Sequence, residues 1–309
     1  MSGWPALSAD DRPTIVALHL FSQVIGKVPT AVLPWRNHGW QLTLHVTPRG
    51  LVTEPIHAEA GALTLGLDLA DHNLVYESAT ARMSVPLQPM PVADFHGIVM
   101  AMLERAGHRI RIHAAPNEID PAIRFAEDLE RRAYDQGSAR RLHAALVSAD
   151  RVFRLFRSSF LGKVSPVHFF WGSFDLAVTR FSGRPAPLHP GGIPNLPDEV
   201  TREAYSHEVS SAGFWPGGAG GEGGPFFYSY SYPTPDGFAE ARVAPEATRF
   251  DAGLGEFLLD YEAVRGAPDP DAALMAFLQS TYEAAADLAG WDRAALECAI
   301  GTPGVPRAL

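Results

Sequence analysis

Apolar positions recur along this chain in two periods, 3.6 and 2, and the change from one to the other marks its elements. Val16, Leu20, Val24 and Ile25 recur at helical spacing after Asp11, with Pro13 in the first turn, which predicts a helix that Gly26 ends. A second helix is expected from Ser138, with Val152, Phe153, Phe156, Phe160 and Leu161 on its apolar side and Gly162 as its stop. Pro91 opens a third, bearing Phe95, Val99, Met102 and Leu103 as far as Gly107. Asp269 and Pro270 open a fourth, bearing Leu274, Phe277, Leu278 and Tyr282 as far as Gly290. Four runs read as strands: Trp40 to Val46, Leu63 to Leu69, Phe174 to Phe181 and Phe226 to Tyr232. Alternation within the second and fourth suits antiparallel sheets with one buried face, so the expected class is α+β and not a parallel doubly wound sheet.

One phrase occurs twice. Gly26-Lys27-Val28 and Trp35 return 136 residues later as Gly162-Lys163-Val164 and Trp171, with Val16 matched by Val152 and Ser22 by Ser158. Each copy runs helix, strands, helix, which predicts two similar halves, residues 1–136 and 137–309, packed as a pseudo-two-fold repeat. The charged stretch Asn117 to Gln136 is the expected connection, and the glycines of Gly217 to Gly224 predict a mobile loop.

Composition narrows the classes of function. At 309 residues and 46% hydrophobic content the chain can bury large cores, and 28 glycines with 26 prolines point to many ordered turns. A net charge of −10 argues against nucleic-acid or anionic-membrane partners, which need clustered Lys and Arg. Cys298 is the only cysteine, so an intrachain disulfide and a thiolate zinc site are excluded. It is expected to pack within a short C-terminal helix that starts near Asp292. The N-terminal residues lack a cationic start and an apolar core, and no run of about 18 apolar residues is evident, so a cytoplasmic location is expected.

The candidate chemistry lies between His168 and Trp215, in the second copy. Period-two alternation puts Asp175, Ala177 and Thr179 on one face and Phe174, Leu176, Val178 and Arg180 on the other. A carboxylate in so apolar a strand either pairs with Arg180, Arg184 or a backbone amide, or stands desolvated with a raised pKa suited to acid–base work. Asp175 and His207 are the catalytic candidates; His207 lies between a proline-rich loop and the glycine run. Ser206-His207-Glu208 cannot form a hydrolase relay, because consecutive strand residues point to opposite faces; alternation pairs Tyr205 with His207 and Ser206 with Glu208. Arg180 and Arg184, with Arg202 and Lys163, are candidate anion contacts or else neutralise Asp175, Glu203 and Glu208. His168, His189 and Glu208 are supporting candidates, and Trp215 is a candidate pocket wall. The histidine intervals of 21 and 18 residues match no compact ligand motif, so no cofactor is expected, a divalent metal being the alternative. Neither glycine run has a phosphate-binding pattern. In a pseudo-two-fold arrangement Arg36, Asn37 and His38 would face this cluster across one cleft.

The phrases GKVSPVHFFWGSFDLAVTRFSGRPAP, HPGG, TREAYSHEVSSAGFWPGG and LQSTYEAAADL, with WRNHGWQLTLHVTPRGL earlier, resemble a bacterial domain-of-unknown-function family, DUF5996, over nearly the whole chain. The resemblance implies no activity or catalytic residues. From the residues themselves, the expectation is an enzyme using His/Asp acid–base chemistry on a small polar or anionic molecule. A non-catalytic ligand-binding or sensor protein, and an interaction protein with an aromatic face, are the alternatives.

Overall fold

The computed structural model describes residues 3–221 and 223–307. The first part of the chain runs α1 (Arg12–Val32), β1 (Leu44–Thr47), β2 (Gly50–Thr53), β3 (Ile56–Ala58), β4 (Gly61–Asp68), β5 (Asn73–Ser78), β6 (Arg82–Pro86), β7 (Met90–Pro91) and α2 (Val92–Arg105). After β8 (Arg131–Arg132), which pairs only with β7, come α3 (Gln136–Ser158), β9 (His168–Phe170), β10 (Asp175–Pro185), α4 (Asp198–Ala204), β11 (His207–Trp215) and β12 (Phe226–Tyr232). The chain closes with β13 (Arg249–Asp251), β14 (Glu256–Asp260), α5 (Tyr261–Arg265), α6 (Pro270–Leu288) and α7 (Arg293–Leu296). Mixed helix and antiparallel sheet make this an α+β protein, as the two hydrophobic periods require.

Among the described residues twelve strands form one sheet, ordered β13-β14-β12-β11-β10-β9-β1-β2-β4-β5-β6, with β3 paired to β4. The two parts of the chain therefore share a sheet, joined where Leu44 of β1 lies opposite Phe169 of β9. From that junction each part steps outward through antiparallel neighbours. The helices α3 and α6 cover the face of β10 to β12 that carries Leu176, Val178, Phe214 and Phe227, and Phe153 meets Phe227 edge-on with ring centres 6.4 Å apart. The stretch Ala9–Val32 is long and apolar enough by composition to cross a membrane, which the sequence pattern had not suggested; 78% of its apolar window is buried inside this fold.

The echo does not hold as a repeat of equivalent environments. α1 continues through Gly26, Lys27 and Pro29 to Val32, whereas α3 stops at Ser158, before Gly162. Gly26 is a contact and not a stop: a Cβ there would lie 2.2 Å from the Trp171 indole. Trp171 is 6% exposed in that contact, while Trp35 is 46% exposed. The glycine of one copy thus packs on the tryptophan of the other. The cap of α3 also differs from expectation, since Asp135, and not Ser138, receives the backbone N–H of Ser138 at 2.7 Å.

Candidate functional site

On the sheet face away from α3 and α6, β10 presents Asp175, Ala177, Thr179 and Phe181, the alternation read from the sequence. Beside them β11 presents Ser211 and Gly213, β12 presents Tyr228 and Tyr230, and the start of β14 presents Glu256. The loops at 38–42, 117–118, 171–173 and 193–205 rise around this face and enclose a cavity of about 650 Å³. Such a volume suits a small organic ligand. Gly213 makes the floor possible: a Cβ there would meet the Tyr228 phenol at 2.3 Å, so only glycine lets that ring cross β11 toward Asp175.

Three carboxyl groups converge here. Asp175 is buried and accepts hydrogen bonds from Ser173 Oγ on one oxygen and from the Tyr228 hydroxyl on the other. Burial raises its pKa above 3.8 against the pull of these two donors, and burial with the neighbouring Asp175 charge holds the Tyr228 phenol well above 10. Glu118 is pushed to about 7 by burial and then by Asp175, with Lys27 opposing. Glu256 is pushed to about 8 by burial, Asp175 and Asp251. Hydroxyls complete the floor, with Tyr205 and Tyr230 2.7 Å apart and Thr179 and Ser211 2.8 Å apart.

The walls are tied down by a polar stripe on α1. His19, Gln23 and Lys27, one turn apart, are all buried on an otherwise apolar helix. The His19 Nδ1 accepts from Ala219 N at 3.1 Å, so Nε2 carries the proton and donates to Gly172 O at 2.9 Å; burial holds the ring near a pKa of about 4, in its neutral form. Gln23 donates to Asn117 O and Gly172 O and accepts from Asn117 N. Lys27 donates to Asn117 Oδ1 and lies over the Trp171 ring, with its pKa lowered by burial to about 8. Asn117 in turn donates to Asn195 O, and Glu118 N to Pro194 O at 3.0 Å. Among the described residues five non-glycines have left-handed φ; two of them line this cavity, His38 at 59° and Glu118 at 61°, and two adjoin lining residues in the chain, Phe174 at 63° and Asn195 at 55°. Each costs about 1–3 kcal/mol, a strain that clusters where geometry serves a ligand.

At one end of the cavity His38 Nδ1–H donates to Ala204 O at 2.9 Å, so its Nε2 accepts from Lys163 Nζ. The Lys163 ammonium lies 4.8 Å from the Phe181 ring centre and 5.7 Å from that of Trp40. Burial lowers both the Lys163 and the His38 pKa.

Of the residues singled out from sequence, Asp175 and Trp215 line the cavity, and so does His38 from the first half. His207 lies at its edge, 5.9 Å from the His38 ring and in contact with Ser206 Oγ at 3.1 Å, with no carboxylate partner among the described residues. His168 is buried between Trp40 and Phe170, outside the lining, and burial holds it neutral near a pKa of about 3. His189 stacks on Tyr205 and accepts from Gly191 N. The candidate anion contacts lie outside the cavity lining. Arg180 lies on the helix-covered face, and Arg184 pairs with Glu208 at 2.7 Å on the surface. Arg202 pairs with Asp198, and Arg36 with Glu54. Tyr205 follows α4 and does not continue a strand with His207, because β11 begins only at His207.

Two carboxylates were missed. Glu118 lies in the charged stretch read as a connection, and Glu256 follows a turn with no apolar period. The polar stripe His19, Gln23 and Lys27 was a usable signal: its four-residue spacing inside an apolar helix demands buried partners. The glycine run is anchored at Ala219 by His19 and at Gly221 by the Arg12 guanidinium; Glu222 lies outside the described residues. Cys298 follows α7, whose start Asp292 caps, and its thiol faces Ser158 O.

No group of three His, Cys, Asp or Glu placed to hold a metal ion is found among the described residues. Neither a curated protein nor a solved structure matches the chain. Residues 4–298 match a family of unknown function, DUF5996, and with nearly its whole length covered the chain belongs to that family.

Proposed function

We propose that this protein is an enzyme that performs acid–base chemistry on a small polar molecule held in the cavity, with Asp175 as the proton-transferring group. The observation that carries this reading is Asp175 itself: a buried carboxyl facing a ligand-sized cavity, oriented by Ser173 and Tyr228 and raised in pKa by its burial. Glu118 and Glu256, raised to about 7 and about 8, supply protonated partners near neutral pH. His207 takes second place as the base because no carboxylate among the described residues orients it. The reading invokes no cofactor and no macromolecular partner. A cytoplasmic location goes with it, supported by the lone Cys298 and the covered apolar face of α1.

The test is turnover in a mixture of small metabolites, followed by mass spectrometry, with purified protein and with Asp175→Asn. Consumption of one component by the native protein, slowed about 100-fold or more in the variant, is expected for loss of a general acid or base. Equal consumption by both would overturn the assignment. A binding protein without catalysis remains the second reading, favoured by the fact that both Asp175 oxygens already accept hydrogen bonds from the chain.

A further inference from the structure

We infer that the cavity takes an organic ammonium ion, a positively charged amine with an apolar body, its charge set against Glu118, Glu256 and Asp175 and its body against Trp215 and Phe226. This rests on the cavity being the functional site, and it names the class of molecule that the site selects.

The carboxylates carry the first part of the inference. Arg180, Arg184 and Arg202 all lie elsewhere, so no arginine lines the cavity among its described residues. Among the described residues no hydrogen bond reaches the side chain of Glu118 or Glu256; the charges that bear on them are Asp175 and Lys27 for Glu118, and Asp175 and Asp251 for Glu256. Three carboxyl groups, with one lysine behind them, become a negative cluster as Glu118 and Glu256 ionise; an anion would enter such a site at a large electrostatic cost, whereas a cation favours that ionisation and relieves the repulsion.

Aromatic faces carry the second part. Two ammonium groups of this chain already lie on rings around the same cavity, Lys27 over Trp171 at 5.2 Å and Lys163 over Phe181 at 4.8 Å. Each shows that the walls accept a desolvated cation against a π face. The remaining wall, where Trp215 and Phe226 lie 5.0 Å apart, is brought by the strand register beside Asp175, without a lysine or arginine of its own among the lining residues. A sugar would use the same rings and hydroxyls, but it would leave the three carboxyl groups in mutual repulsion.

Calorimetry with benzyltrimethylammonium, benzyl alcohol, phenylacetate and methyl glucoside decides the matter, because the first probe keeps its charge at every pH. The expected result is binding of the ammonium ion about ten-fold or more tighter than any of the other three, weakened about ten-fold in Glu118→Gln and in Glu256→Gln. Both variants keep the side-chain shape, and thermal unfolding checks that each is folded. Affinity should rise from pH 6 to pH 8.5, about the range in which Glu118 and Glu256 ionise while Asp175, Asp251 and Lys27 face them. Equal or tighter binding of phenylacetate or methyl glucoside would overturn the inference, and so would ammonium binding unchanged in both glutamine variants. Turnover lost in Asp175→Asn without ammonium selectivity would leave the enzyme standing and the substrate class refuted; the reverse would do the opposite.

Discussion

Arg180 and Asp175 are both buried charges on strand β10, but they lie on opposite faces and are treated in opposite ways. On the helix-covered face the Arg180 guanidinium is sandwiched, 3.5 Å from the Phe156 ring centre and 4.3 Å from that of Tyr282, and donates to Phe156 O and Ser159 Oγ. On the cavity face Asp175 has two hydroxyl donors, no cation, and two further carboxyls near enough to raise one another. The first arrangement packs a cation among ring faces with two oxygen acceptors, leaving its Nε and Nη1 without a partner among the described residues, and the core closes over it. The second leaves negative charge uncompensated inside a space large enough for another molecule. A fold optimised for stability alone would not keep the second.

The largest effects should separate these two faces. Arg180→Ala removes a large side chain from among Phe156, Phe160 and Tyr282 and leaves their packing open, at a cost of about 3–5 kcal/mol. Asp175→Asn should do the reverse: turnover falls about 100-fold or more, while the melting temperature holds or rises, because a desolvated charge is removed and an amide still accepts a hydroxyl. Calorimetric melting of both variants checks the pair. If Asp175→Asn destabilises as much as Arg180→Ala, the two faces are alike and the carboxylate is structural.

How much of this contrast was legible follows from its physics. Alternation in Phe174 to Phe181 and Phe226 to Tyr232 placed Asp175 opposite Arg180, and the tyrosines opposite Ser229 and Ser231, because a strand has a fixed period. The same rule failed at Tyr205 and His207, where α4 ends and the strand has not begun. Glu118 and Glu256 could not be found by periodicity. They reach the cavity from a loop and from a strand edge, through contacts such as Asn117 with Lys27 that join residues 90 positions apart. The Gly-Lys-Val echo was visible but misread: both lysines border the cavity walls, yet Gly26 ends nothing and serves Trp171.

Effects of middle size test the close approaches that shape the cavity face. Gly213→Ala drives a methyl into the Tyr228 ring, and expelling that ring should cost about 1–3 kcal/mol and release its hydrogen bond to Asp175, with turnover falling as a result. Gly26→Ala is the sharper case. In an ordinary helix interior it would stabilise by about 0.5–1 kcal/mol, but here the methyl meets the Trp171 indole and should destabilise instead. Urea unfolding of both variants measures the costs. A more stable Gly26→Ala protein would show that Trp171 can move freely and that the turn at Gly172 is not held as described.

The pH dependence of stability carries both faces in one curve. His19 and His168 are kept neutral by burial, with pKa values of about 4 and about 3, so stability should fall as pH drops from about 6.5 toward 4, where the unfolded chain takes up protons that the fold refuses. Glu118 and Glu256 act in the other sense. Their folded values of about 7 and about 8 lie above the unfolded 4.5, so the fold holds extra protons and loses stability as pH rises through that window. Lys27, lowered to about 8, opposes this loss only at higher pH. Between pH 5 and 6.5 the two pairs oppose each other, and above 6.5 only the carboxyl loss continues, so melting should fall from pH 6.5 to pH 8; Glu256→Gln should lessen that fall by about 2–4 °C and also remove its share of the loss between pH 5 and 6.5. An unchanged alkaline limb in that variant would place Glu256 in water and not in the cavity.

Arg184→Ala should change least, and its smallness is informative. Arg184 is 47% exposed, pairs with Glu208 at 2.7 Å and donates to the carbonyls of Ala289 and Gly290 beyond α6. A solvent-screened pair of this kind contributes about 1 kcal/mol or less, so the melting temperature should move by about 2 °C at most. Were the ligand an anion that Arg184 recognises, its removal would raise KM steeply while leaving kcat in place. The arrangement of charges predicts an unchanged KM, since the cavity presents carboxylates to whatever enters and Arg184 already has its partner outside. A large KM effect in Arg184→Ala would restore an anion-recognising site and break the distinction between a face closed over its cation and a cavity that presents carboxyl groups.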